Sequence, residues 1–307
     1  MPLRDRVRGE LTVGAFRAGG VAARVVPNPI ARGIVSVAAR GVAAASVDKR
    51  TIVERNLRRI YGDELDGSLL SKKVGATFDS YARYYLDSLR LPSLSAAQVE
   101  AGIWIDGVEH IEAAMAEDAV GPVLALPHLG GWEWAAAWIT KVRGWRLAAV
   151  VEELEPPELF DWFLRFRESL GMNIIPLGPQ AAAQVAAAAL DKEVVCLLSD
   201  RDIGGSGVEV EFFGERTTLP AGPAIMALRT GSRILPTAVY FDGDGINGLV
   251  RPPLDATRQG RLREDVGRIT QDLAHELEYL IRRAPEQWHL MQPNWPSDYE
   301  VVGLPQP

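Results

Sequence analysis

Pro127-His128-Leu129-Gly130-Gly131-Trp132-Glu133 sets a histidine five residues ahead of a carboxylate. The segment follows the apolar run of residues 123–126, which reads as a buried strand. It leads into Trp134-Ala135-Ala136-Ala137-Trp138-Ile139, which reads as a helix. A histidine at such a turn, with an acid in the first helical turn, can act as an oriented general base. In one continuous helix, five residues would turn the two side chains about 140° apart. Pro127 and the Gly130-Gly131 pair argue instead for a sharp loop. Such a loop lets His128 fold back over the helix start, where Glu133 accepts its Nδ1–H and Nε2 stays free to take a proton. The helix dipole favours an acid there by about 0.3–1 kcal/mol. Free N–H groups at the same end could bind a developing oxyanion. The spacing alone occurs by chance in many chains, and a structural histidine at a helix start is the alternative; the strand-to-helix setting gives the pair its weight.

Other candidates lie where strands are expected to end. Glu152 follows the run 147–151, and Asp200, Arg201 and Asp202 follow the run 194–199. Open α/β sheets gather ligand groups at strand carboxyl ends. Carboxylates there could hold sugar hydroxyls and Arg201 a phosphate, or Asp200-Arg201-Asp202 could be an ion-paired turn. His110 and His275 lie in charged helical stretches, and His289 reads as a packed residue. Cys196 sits in an apolar run and reads as a buried thiol. A single cysteine excludes an intrachain disulfide and a thiolate zinc site and fits a reducing compartment. Gly204-Gly205-Ser206-Gly207 lacks the order of a phosphate loop, and no GxSxG elbow occurs. The body is acidic and its basic residues are not interleaved with aromatics, so nucleic acid is not an expected partner.

The elements that must position these residues alternate along the chain. Candidate strands are 103–105, 123–126, 147–151, 174–176, 194–198, 208–213 and 234–240. Candidate helices are 69–89, 108–117, 131–142, 156–170, 179–190, 220–230 and 262–283. Strands separated by helices of this length imply an α/β fold: a mostly parallel central sheet flanked by helices. The chain is long enough for one large domain of this kind.

The formal net charge of −7 hides an asymmetry. Residues 1–50 hold eight Arg and one Lys against two Asp and one Glu, a surplus of six positive charges, so the rest carries −13. Residues 4–45 read as helix with a break at Val26-Pro27-Asn28-Pro29. Arg17, Arg24, Arg32 and Arg40 recur every seven or eight residues along one face. Residues 1–48 are therefore expected to be a basic amphipathic helical leader, packed on its own domain, touching an anionic membrane surface, or both, and 49–307 the α/β domain. The arginines cut the leader into pieces too short to span a bilayer, and no signal peptide is expected.

The HX4E block resembles that of the lipid A lauroyl/myristoyl acyltransferase family, and within it the actinobacterial phosphatidylinositol mannoside acyltransferases. Two further blocks carry the likeness: residues 159–172, and residues 198–224 with Leu198-Ser199-Asp200-Arg201-Asp202 and Val208-Glu209-Val210-Glu211-Phe212-Phe213-Gly214. The likeness covers roughly residues 50–295. It departs at Glu133, where the mannoside enzymes carry Asp. The resemblance implies acyl transfer from a thioester, acyl-CoA or an acyl carrier protein, to a sugar hydroxyl of a membrane glycolipid. It implies no metal, no cofactor beyond acyl-CoA as co-substrate, and a peripheral enzyme on the cytoplasmic face of the plasma membrane. His128 would deprotonate the hydroxyl, Glu133 would orient it, and Arg167 would contact the polar acceptor or donor. An apolar tunnel for the acyl chain is expected beside His128. The rival readings are another glycolipid or lysophospholipid acceptor, and a lipid-binding protein with an idle His–Glu pair.

Overall fold

The computed structural model describes residues 3–62 and 64–306, with residues 3–11 as backbone only. The helices are α1 (Leu3–Val25), α2 (Asn28–Ala45), α3 (Val47–Tyr61), α4 (Gly67–Arg90), α5 (Ala96–Ala101), α6 (Val108–Glu117), α7 (Trp132–Ala137), α8 (Pro157–Ser169), α9 (Ala181–Leu190), α10 (Gly222–Thr230), α11 (Leu262–Arg282) and α12 (Pro296–Val302). The strands are β1 (Ile103–Asp106), β2 (Val123–Leu126), β3 (Leu147–Val151), β4 (Met172–Pro176), β5 (Val194–Leu198), β6 (Val208–Phe212), β7 (Glu215–Leu219), β8 (Ile234–Asp242) and β9 (Gly245–Val250).

Seven strands form one sheet in the order β1-β9-β8-β2-β5-β3-β4. All its pairings are parallel except β8 with β9. All four residues of β2 are buried. Leu124 and Leu126 pack with α6, α7 and α8, while Val123 and Ala125 face the side covered by α9, α10 and α11. Covering both faces explains why these strands read as unbroken apolar runs. Each Leu or Val so buried contributes about 1.5–3 kcal/mol.

Among the strands, the sequence pattern missed β7 and β9. Strand β9 closes a hairpin on β8 through Gly243, whose φ is +51°. Strand β6 lies outside the main sheet and pairs antiparallel with β7. Phe213 and Gly214, with φ of 52° and 74°, make the turn between them, the positive-φ pair that a tight hairpin demands. In both cases a short turn replaced the helical crossover that parallel pairing needs.

The leader is two helices broken at Val26 and Pro27, as its prolines require. It is not a free tail. Phe16 packs against Tyr85, Trp162 and Phe163. Arg90 at the end of α4 donates to the carbonyls of Ala23 (2.5 Å) and Val26 (2.9 Å) and to the Asn28 side chain, pinning the break. Outward, Val21, Val25, Ile30, Ile34 and Val37 stay more than half exposed.

Candidate active site

Register brings the site together. Leu126 of β2 pairs with Leu198 of β5, so the chains leave the sheet level with each other. Two residues on, His128 and Asp200 meet. His128 Nδ1 lies 2.6 Å from Asp200 Oδ1, and the His128 backbone N–H donates to Oδ2 at 2.9 Å. Glu152 leaves β3, the next strand beyond β5, and its carboxylate is 3.5 Å from Arg201. Three neighbouring parallel strands thus deliver His128, Glu152 and the 200–202 segment to one carboxyl edge.

Asp200 is fully buried. Burial alone would raise its pKa, but the His128 ring, the Trp288 indole N–H (2.7 Å) and the His128 backbone N–H outweigh it and hold the carboxyl below its usual range. A carboxylate only accepts hydrogen bonds, so His128 Nδ1 must carry the proton. Nε2 is then the basic nitrogen. It has no hydrogen-bond partner among the described residues, and the side chain is 31% exposed. The arrangement is the His–carboxylate half of a hydrolytic triad, with room for an external hydroxyl in the nucleophile's place.

Glu133 does not take the place expected of it. It turns inward from α7, 1% exposed, and accepts from Tyr84 Oη (2.5 Å) and Arg167 Nη2 (3.0 Å). Its Oε2 and the Arg167 Nε are buried with no partner among the described residues. Burial and the Glu133 charge push the Tyr84 hydroxyl well above its usual range. Burial alone would lower the Arg167 pKa, but Glu133 raises it, so this is a buried ion pair. The reason lies in the glycines. Gly130 has φ +59°, and a Cβ there would meet Val239 O at 1.8 Å. Gly130 and Gly131 donate their N–H groups to Gln287 O (3.0 Å) and Val239 O (3.2 Å). The pair serves close approach to β8 rather than a fold-back of His128 over the helix. Those two N–H groups are also spent and add nothing to the oxyanion site expected at the helix start.

The other candidates separate by role. Arg167 reaches Glu133, with the Trp132 and Phe163 rings beneath its guanidinium. Arg201 is largely buried and pairs with Glu152 at 3.5 Å. Asp202 accepts from Gly204 N (3.2 Å), Gly207 N (2.7 Å) and Thr218 Oγ1 (3.0 Å), so it organises its own loop. Two contacts had no signal in spacing. Trp288 and Tyr84 reach the site across 88 and 49 residues of chain. His289, packed as expected, donates its backbone N–H to His128 O (2.7 Å). Its Nε2 lies 2.9 Å from Ser80 Oγ. Burial, with the charge of His128, lowers its pKa to about 3. No cluster of three or more metal-ligating side chains occurs among the described residues. An apolar cavity lined by Leu124, Trp138, Ile139 and Val239 measures about 20 Å³, room for water rather than an acyl chain.

Residues 9–297 match the family of bacterial lipid A biosynthesis acyltransferases. A phosphatidylinositol mannoside acyltransferase of Mycolicibacterium smegmatis is 36% identical over 293 residues, covering 94% of this chain and 93% of that protein. One of Mycobacterium tuberculosis is 36% identical over 300 residues, covering 96% and 92%.

Proposed function

The chain belongs to the bacterial lipid A biosynthesis acyltransferase family, and from that premise we propose that it moves a long acyl chain, palmitoyl by preference, from acyl-CoA to a mannose hydroxyl of a phosphatidylinositol mannoside. The acceptor follows the names of the mycobacterial relatives. The observation that carries the chemistry is the His128–Asp200 contact with Nε2 open at the strand ends.

In the proposed step, the mannose O–H gives its proton to His128 Nε2 as its oxygen attacks the thioester carbon. Asp200 holds the ring and stabilises the imidazolium. The tetrahedral intermediate then breaks its C–S bond, and the departing thiolate takes the proton back from Nε2. Ester and free CoA thiol result. No further cofactor enters. Glu133 and Arg167 act behind the site by fixing α7 against α4 and α8. Arg201 and Glu152, at the open edge, are the side chains for phosphate and sugar hydroxyls.

The same reading places the enzyme peripherally on the cytoplasmic face of the plasma membrane. Its support is the exposed row Val21, Val25, Ile30, Ile34 and Val37 beside the leader's arginines. No single described helix is long and apolar enough to cross a membrane, and α2 and α3, which pass that measure together, meet at 98°. Such helices lie in the interface, with apolar residues toward acyl chains and cations toward headgroups.

The test is transfer from labelled palmitoyl-CoA to a panel of phosphatidylinositol mannosides, another glycolipid and a lysophospholipid. Preferred labelling of a mannoside supports the proposal. Preference for another member of the panel overturns the acceptor, and labelling of none overturns the reading.

A further inference from the structure

The segment carrying Trp288 is stitched to the loop carrying His128. Leu129 and Trp288 form an antiparallel bridge. Gly130 N–H donates to Gln287 O at 3.0 Å, and His289 N–H donates to His128 O at 2.7 Å. From this frame the Trp288 indole N–H reaches Asp200 Oδ2 at 2.7 Å. The ring is 3% exposed and is fixed by edge contacts with Phe212 and Trp295 and a tilted one with Phe213. Its donor therefore cannot swing away to water.

We propose that Trp288 is a positioning residue for catalysis, acting through Asp200. A carboxylate can rotate about its Cβ–Cγ bond, and only one rotation puts Oδ1 in line with His128 Nδ1. Two N–H groups, from the Trp288 indole and the His128 backbone, converge on Oδ2 and select that rotation. The indole also helps keep a fully buried carboxyl ionised, as its place among the groups lowering the Asp200 pKa indicates. Hydrogen bonds to ionised groups are the stronger class, which is why one indole N–H can matter here. Phe at this position would keep an aromatic ring among its neighbours and remove the N–H.

Trp295 is the built-in comparator. It lies in the same aromatic cluster, is fully buried, and donates its indole N–H to Phe212 O at 3.2 Å, away from Asp200. The inference rests on the acyl-transfer reading for its kinetic arm only. In the full chain labelled with ¹⁵N-histidine, the His128 Nδ1 proton is followed by NMR in wild type, Trp288→Phe and Trp295→Phe. The proposal expects this resonance to shift or vanish in Trp288→Phe and to hold its place in Trp295→Phe. An unmoved resonance in Trp288→Phe overturns it, as does an equal change in both variants. If Trp288→Phe does not fold, benzothienylalanine at 288 keeps the ring shape and removes only the N–H, and the same outcomes apply.

The kinetic arm expects kcat to fall about tenfold in Trp288→Phe, with KM for palmitoyl-CoA within about twofold, since the lost bond acts on the base and not on binding. In an Asp200→Asn background the same change should cost less than about twofold, because the charge it serves is gone. Wild-type kcat in Trp288→Phe overturns the proposal. A wild type that transfers no acyl chain, with the NMR result as expected, refutes the acyl-transfer reading and leaves the Trp288 contact standing.

Discussion

Asp200→Asn separates the observed geometry from the one the HX4E spacing suggests. Three donors converge on two carboxylate oxygens: His128 Nδ1–H, His128 backbone N–H and Trp288 Nε1–H. An amide offers one oxygen. Placed toward His128 Nδ1, it leaves its NH₂ facing two donors. Placed at the Oδ2 position, it serves two donors and turns its NH₂ on Nδ1 alone. Each mismatched buried donor costs about 1–3 kcal/mol, so the second orientation wins. His128 Nδ1 must then accept, the proton moves to Nε2, and the ring loses its basic nitrogen where the substrate hydroxyl arrives. The same tautomer change in a serine-protease triad lowers kcat about 10⁴-fold, about 5.4 kcal/mol on the barrier at 1.36 kcal/mol per tenfold. The assay is kcat for palmitoyl transfer, paired with the ¹⁵N shifts of the His128 ring. A fall of about 10⁴ with the proton on Nε2 is expected. A fall under tenfold, or a proton still on Nδ1, refutes the reasoning.

Glu133→Gln should behave in the opposite way. It breaks a buried pair with Arg167 and lowers stability by about 3–5 kcal/mol in urea unfolding, while kcat of the folded fraction falls less than about tenfold; a stable variant with kcat as low as Asp200→Asn would return Glu133 to the catalytic role. His289 gives a pH signature. Its folded pKa lies well below the unfolded value of 6.5, so below pH 6.5 the unfolded chain binds a proton that the folded chain refuses. Stability therefore falls by about 1.4 kcal/mol per pH unit from about pH 6.5 toward pH 3. His289→Gln should flatten that slope between about pH 6 and 4, and an unchanged slope would remove His289 as its source. Ile34→Asp with Val37→Asp should weaken sedimentation with anionic vesicles at 0.1 M salt at least tenfold, by taking two apolar side chains from the lipid; unchanged sedimentation would refute the interfacial face. Cys196, pushed up to about 12 by burial, should resist maleimide in the folded protein and react on unfolding, and labelling at a free-thiol rate at pH 7 would contradict its burial.

Much of this was legible in the chain because parallel strands buried on both faces announce themselves. The runs at β2, β3, β5 and β8 and the helices between them stand where periodicity puts them. The rule that ligand groups gather at strand ends drew attention to His128, Glu152 and the 200–202 segment. The choice of partner for His128 was not legible. It depends on Leu126 pairing with Leu198, a register that sequence distance hides, whereas Glu133 is conspicuous for being near. Gly130 and Gly131 were read as freedom for His128, but their use is to let the loop touch β8. Tyr84 and Trp288 are core aromatics whose single polar atoms reach the site only because α4 and the 287–289 segment pack there. Residues 208–213 read as one more strand of the central sheet, whereas the turn at Phe213-Gly214 pairs them with β7 outside it.

In the proposed reaction His128 Nε2 takes the proton of the attacking hydroxyl. Single-turnover transfer from labelled palmitoyl-CoA to a phosphatidylinositol mannoside, in wild type and His128→Ala with donor binding measured in parallel, tests it most directly. A loss of at least about 10²-fold with donor affinity retained is expected. Transfer by His128→Ala at the wild-type rate would contradict it.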